Sequence, residues 1–150
     1  MFKTSRRILF GDCDPAGVVY TPRVAHYVVE ACLDFQAHLL GAPAPRSVFA
    51  LDILPPARNL CIDFLAPLSY DEAIDIVVNV ASIGATSFTC SLVASKHDGT
   101  IAFTATFTQV CVDPVTKRPV AMPQPLRSAL QMHYSAQGLQ GAPCAGSASR

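Results

Sequence analysis

Charge is scarce in this chain and favours neither sign. Charged side chains make up 15% of the sequence, with 11 Lys and Arg against 11 Asp and Glu. That balance offers no electrostatic footprint for nucleic acid or an anionic membrane as main partner. The six cysteines, Cys13, Cys32, Cys61, Cys90, Cys111 and Cys144, include no pair at CxxC spacing. The usual zinc arrangement is therefore missing. No apolar run approaches the length of a membrane span. The opening MFKTSRRILFGDCD has basic residues but no apolar stretch of signal-peptide length. The expected setting is a reducing cytoplasm, where a buried cysteine behaves as a small hydrophobe.

What is abundant is apolar surface. Apolar residues supply 51% of 150 positions, enough to bury one core and too many for a disordered segment. With no membrane to receive it, part of this surface is expected to be hidden in a homodimer or homotetramer. One domain is expected over 1–135. The small, Gly- and Ala-rich stretch 136–150 is expected to be a disordered tail.

One long helix is predicted over 22–40. Thr21 suits the N-cap, Pro22 the first turn and Gly41 the C-cap. Arg23, His26, Glu30, Asp34 and His38 form one narrow polar stripe, and most of the remaining circumference is apolar. Such a helix is one that other elements wrap around. The Pro-rich stretch Gly41–Pro56 is expected to hold no regular structure for long. Beyond it, alternation at 60–64, 74–80, 88–92 and 101–107 predicts strands, with Asp98-Gly99 as a hairpin turn. Residues 2–10 read as a weaker fifth strand and Pro125–Tyr134 as a short helix. The connections after 58 are too brief for parallel crossovers. An α+β fold with a largely antiparallel sheet follows.

The segment Phe10-Gly11-Asp12-Cys13-Asp14-Pro15-Ala16-Gly17-Val18-Val19-Tyr20-Thr21-Pro22 carries the chemistry. Locally, Asp14-Pro15-Ala16-Gly17 is a turn, and the plain reading of Asp14 is closure of an Asx-turn. The turn delivers the chain to a helix start, where backbone N–H groups lack intrahelical acceptors. A carboxylate beside such donors suits thioester hydrolysis, which needs an attacking group and a donor for the developing oxyanion. Pro22 has no N–H, so the nearest donor is the Thr21 amide.

The run GDCDPAGVVYTP resembles the signature of the 4-hydroxybenzoyl-CoA thioesterase family, a branch of the hotdog-fold acyl-CoA thioesterases. The resemblance extends over the helix and Asp63-Phe64-Leu65-Ala66-Pro67-Leu68. It implies a hotdog fold, in which a curved five-stranded sheet wraps a long central helix. It also implies Asp14 as catalytic carboxylate, Thr21 as oxyanion donor and a coenzyme A thioester as substrate, with no further cofactor. Whether Asp14 attacks the carbonyl or activates water stays open.

Gly17, Val19 and Tyr20, with His26 and Glu30 on the polar stripe, are the expected substrate contacts. The stripe is taken to face a subunit interface or the acyl pocket. Asp12 reads as a structural cap, and no metal site is expected, since no HExxH-type pattern backs His26 and Glu30. Relatives specific for aromatic acyl groups carry basic residues at the start of the fourth strand. Here Ile83-Gly84-Ala85-Thr86-Ser87 stands there instead, leaving Lys96, Lys117 or Arg118 to hold the CoA phosphates. Alternatively, the carrier is a protein-bound pantetheine. Val28 and Val29, with the apolar residues of 41–56, favour plain aromatic or medium aliphatic acyl groups over 4-hydroxybenzoyl. The rivals are a hotdog dehydratase or hydratase, and a non-catalytic acyl-thioester binding protein.

Overall fold

The computed structural model describes residues 1–134, so the tail expected at 136–150 lies outside the described residues. Five strands, β1 (Phe2–Arg7), β2 (Ala57–Phe64), β3 (Ala73–Ile83), β4 (Ser87–Lys96) and β5 (Ile101–Val110), form one sheet in the order β1-β3-β4-β5-β2. Every pairing is antiparallel. The long helix α1 (Thr21–Leu40) lies against this sheet, flanked by α2 (Ala44–Phe49) and α3 (Gln124–Gln131). This is the helix-and-sheet arrangement expected of a hotdog fold.

Period-two alternation sets the core. Ile74, Ile76, Val78 and Val80 of β3, and Phe88, Cys90 and Leu92 of β4, are each at most 1% exposed. From α1 they meet Val24, Tyr27, Val28, Ala31, Cys32 and Phe35. Cys13, Cys32, Cys90 and Cys111 are free thiols. Cys32 and Cys90 touch across the helix–sheet boundary, and that contact with burial pushes the Cys32 thiol far up. It behaves as the small hydrophobe the sequence implied. The Asp98-Gly99 turn joins β4 to β5, closed by Gly99 N–H to Lys96 O at 3.0 Å.

Three details differ from the sequence reading. The α1 N-cap is Tyr20, one residue before Thr21, and it makes no side-chain cap bond. Extended pairing runs on through Val19, whose N–H reaches Leu68 O at 2.8 Å, and Tyr20 N–H bonds Asp12 O at 2.9 Å. The helix can start only after that residue. Second, the Pro-rich stretch holds the helical turn α2, because prolines are tolerated in a first helical turn. Third, β2 is poorly buried: Leu60 is 37% and Phe64 53% exposed. Among the described residues it is an edge strand, paired with β5.

Asp12 is structural, as read, but it does more than cap a turn. It is 7% exposed. One carboxylate oxygen accepts the Leu9 N–H at 3.0 Å, and the other lies 3.3 Å from Arg23 Nε in the first turn of α1. Burial alone would raise its pKa. The Leu9 N–H, the Tyr27 hydroxyl, Arg23 and Arg6 outweigh burial and hold it below the usual aspartate value. The Tyr27 contact is loose, short of strict hydrogen-bond geometry. Burial first, then Asp12, push the Tyr27 phenol well up.

A depressed folded pKa contributes stability above the unfolded value of about 3.8, which is lost as pH falls through the folded value. Asp12→Asn should therefore lower neutral-pH stability by about 1.5–3 kcal/mol. Denaturant melts should show the gap to wild type closing in acid. A gap unchanged down to acid pH would mean that the Asp12 charge contributes nothing.

Candidate active site

The motif forms a tight excursion between the start of the chain and α1. Phe10–Asp12 make a single 3-10 turn, and Cys13 bridges Val19 while Val18 bridges Ser69. The turn at its tip is closed by Gly17 N–H to Asp14 O and by Asp14 N–H to Val18 O, both at 2.9 Å. Gly17 takes φ +79°, a left-handed conformation that a side chain would strain. The motif's glycine is thus a backbone requirement of the turn.

Asp14 is half-buried at that tip. Its Oδ1 accepts the Ala16 N–H at 2.8 Å, the Asx-turn of the plain reading. Its Oδ2 has no partner among the described residues. Seven residues on, the Thr21 N–H opens α1 without an acceptor among the described residues, and Pro22 beside it has no N–H to offer. Thr21 lines a cavity of about 330 Å³ with Val18, Val19, Val24, Phe64 and Phe103. Asp14 is not in its wall; its turn adjoins the cavity through Val18 and Val19.

Among the residues anticipated from sequence, Gly17, Val19, Tyr20 and Thr21 stand together with Asp14. Val19 and Thr21 line the cavity, and Tyr20 is 57% exposed. His26 and Glu30 stand apart from this group. His26 Nε2 lies 3.2 Å from Glu30 Oε1, and Glu30 is ion-paired with Arg6 of β1. One turn further, Asp34 accepts from Thr4 Oγ1 at 3.3 Å. Within one chain the stripe therefore fastens α1 to β1 and does not reach the Thr21 cavity.

Of the three cations anticipated for the CoA phosphates, the two lysines are engaged, and the Arg118 side chain has no partner among the described residues. Lys96 Nζ bonds Glu72 at 2.8 Å and Lys117 Nζ bonds the Pro114 carbonyl. The β3–β4 turn has no basic residue of its own, but α3 brings one there: Arg127 donates to Gly84 O at 2.7 Å and to Ala85 O at 3.3 Å. Forty-three residues separate Arg127 from Gly84, so no local motif announces it.

A second, larger cavity of about 750 Å³ lies between α1, α2 and the start of β2, lined by Val29, Leu33, Val48, Phe49, Pro56 and Phe107 among others. Its wall also holds two buried amides, Gln36 and Gln109. The sequence reading anticipated the apolar residues of 41–56 as possible pocket walls and missed both glutamines. They are brought together by packing between α1 and β5, and nothing in either segment signals it.

The thioesterase-like superfamily model matches residues 8–130 of the chain. The acyl-CoA thioester hydrolase YbgC of Escherichia coli O6:H1 is 23% identical over 124 residues, covering 83% of this chain and 91% of that protein. Similar solved structures include the 1,4-dihydroxy-2-naphthoyl-CoA thioesterase Slr0204 from Synechocystis, with TM-score 0.79, 22% identity, and coverage of 87% of this chain and 95% of that one. The Staphylococcus aureus protein SAV2348, solved in complex with CoA, aligns with TM-score 0.85 at 15% identity over 95% of this chain and 89% of its own. The family model spans the Asp14 turn, all of α1 and the whole sheet apart from β1, and the chain belongs to the thioesterase-like superfamily.

Proposed function

We propose that this protein hydrolyses acyl-CoA thioesters, with the Asp14 carboxylate and the Thr21 amide as its catalytic groups. The observation that carries this reading is an N–H at the start of α1 that lines an apolar cavity, with a carboxylate oxygen on the turn beside it, both without a partner among the described residues. Thioester hydrolysis uses both. The Thr21 N–H donates to the carbonyl oxygen as negative charge develops there, in a wall too apolar to screen it. Asp14 Oδ2 either attacks the carbonyl carbon, expelling the thiolate and leaving an anhydride for water to open, or takes a proton from the attacking water. Both routes end in a free acid and a thiol. Similarity to YbgC, an acyl-CoA thioester hydrolase, and to SAV2348, solved in complex with CoA, supports an acyl-CoA substrate. Arg127, at the β3–β4 turn, supports a contact to the CoA phosphates where the sequence has no basic residue.

A second copy completes the site in this reading. Of the two sheet edges, β1 carries Lys3 and Arg7 in ion pairs and Arg6 beneath α1, which suits a protected edge. On the β2 edge Leu60 is 37% exposed. Phe64 and Leu65 at its end are exposed, as are Phe10 and Tyr70 near the motif. Two-fold antiparallel pairing of β2 with its copy would bring the Phe64 end of one strand to the Ala57 end of the other. The Thr21 cavity of one subunit would then meet the larger cavity of its partner.

Asp14→Asn keeps the turn and nearly the same volume while removing the charge. Its kcat on acyl-CoAs, followed by thiol release, should fall at least ~100-fold with the melting curve little changed. A folded variant with normal turnover would return Asp14 to a purely structural role. Light scattering should give a dimer or larger. Leu60→Lys on the β2 edge should shift it toward monomer and lower kcat/KM by at least ~10-fold. A stable, fully active monomer would remove the shared-site part of the proposal.

A further inference from the structure

The larger cavity begins about two helical turns beyond Thr21 and follows α1 away from it. Its α1 wall is Val29, Cys32, Leu33 and Gln36, the i, i+3, i+4 and i+7 positions of one helix face. That wall is about 10 Å long, roughly the length of an extended chain of eight carbons. The volume of about 750 Å³ lies within the ~300–1,000 Å³ range of ligand pockets. The two amides in the wall are engaged with each other and with the backbone. Gln36 Nε2 donates to Gln109 Oε1 and Gln109 Nε2 to the Pro55 carbonyl, both at 2.7 Å, and Gln36 Oε1 is buried out of solvent reach. The interior therefore suits plain hydrocarbon. A hydroxyl inside it would lose its hydration without gaining a partner.

The mouth is cationic. Lys117, the charged residue of the wall, is exposed. Its ammonium carries three N–H groups, and the hydrogen bond it makes among the described residues goes to the Pro114 carbonyl. Lys117 also takes φ +59°, a conformation that glycine adopts without strain and other residues do not. That bond only returns to the same turn, so the fold gains little from a side chain here, whereas a cation kept at the cavity mouth gives it a use. Arg46 and Arg58 directly follow the lining residues Pro45 and Ala57, and Arg118 follows Lys117. None of these four cations has an ion pair among the described residues, whereas Lys3, Arg6, Arg7, Arg23 and Lys96 are all paired with carboxylates. The acids on the same stretches, 42–58 and 111–120, are Asp52 and Asp113. Asp113 is turned to the Val115 and Thr116 N–H groups, at 2.9 and 2.6 Å. The rim is left net positive.

We propose that this cavity is a binding site for a plain medium-chain carboxylate, with its hydrocarbon along α1 and its carboxylate on Lys117. A neutral chain fills the volume but leaves the rim charge unanswered. An aromatic acid answers the charge but leaves most of the volume empty, and unfilled apolar walls forfeit their dispersion contacts. The acid released by the hydrolysis proposed above belongs to this class, but the site needs no turnover to bind it.

The test is calorimetric titration of the full chain with octanoate, octanol, ω-hydroxyoctanoate and benzoate. Octanoate should bind at a single site per chain, at least ~10-fold tighter than each of the other three. In Lys117→Met, which keeps the stem and removes the charge, octanoate should fall to the affinity of octanol, with octanol itself unchanged. Val29→Phe narrows the cavity from α1 and should weaken octanoate and octanol alike by at least ~5-fold. The proposal is overturned if any of the other three probes matches octanoate, if Lys117→Met keeps the preference, or if Val29→Phe binds octanoate as wild type does. Binding of no probe would mean a cavity closed or filled by a second copy, and overturns it as well. Lys117→Met changes an exposed side chain, so its result decides the matter even if Val29→Phe does not fold. Failure to hydrolyse any acyl-CoA would sink the thioesterase reading and leave this binding site standing.

Discussion

The buried carboxylate of Asp12 is the constraint on which the site depends. Three separate pieces of chain end on this residue: the Leu9 N–H on one carboxylate oxygen, Arg23 on the other, and the Tyr20 N–H on its backbone carbonyl. The last two clamp the first turn of α1 to the 3-10 turn that precedes the Asp14 loop. The eight residues between Asp12 and Thr21 must then close on themselves, which they do through the Gly17 turn and the Val18 and Val19 bridges. Without that closure, Asp14 and the Thr21 amide would sit on two independent segments. With it, they belong to one rigid excursion, which is what catalysis by positioning requires.

The rotation of α1 about its own axis is set by weaker forces that act together. Arg6, His26, Glu30, Asp34 and Thr4 form an ion-pair and hydrogen-bond ladder between the helix and β1. Partly exposed pairs of this kind contribute little stability each. Their effect here is directional. They turn the polar stripe toward the β1 edge, so that the flank beside it, with Val29 and Leu33, lines the larger cavity near the start of β2. A stripe read from sequence as facing a subunit interface or the acyl pocket is, within one chain, the element that aims the apolar flank of the helix.

Local rules made most of the fold legible. Alternation at 74–80 and 88–92 maps onto strands whose inward residues are buried almost without exception, and the near-continuous apolar surface of α1 announced its central position. What local rules could not reach were the features made by distant partners. Tyr20 displaced Thr21 as N-cap because Leu68 and Asp12 hold the preceding chain extended. β2 carries the same alternation as a central strand, and only its place at the sheet edge leaves Leu60 and Phe64 exposed. Arg127 reaches the β3–β4 turn from α3, and Gln36 finds Gln109 from 73 residues away. The GDCDPAG run was legible because its residues act within one turn of chain. The wall of the larger cavity was not, because it is assembled from four elements.

In the proposed function, one of the two aspartates of that run is both a turn residue and a reactive one. A carboxylate has two oxygens, each able to accept independently. Asp12 uses both, on Leu9 and on Arg23, and is buried, so it has no lone pair left for chemistry. Asp14 has the same side chain two residues later, but commits only Oδ1 to the Ala16 N–H. The Asx-turn holds the side chain in one rotamer and leaves Oδ2 free at a fixed position. Structural and catalytic readings of Asp14 are therefore not competitors: the bond that closes the turn is what orients the remaining oxygen. Under the proposed function, the same division gives the two aspartates separate tasks, one saturated to hold the loop and one half-committed to act from it.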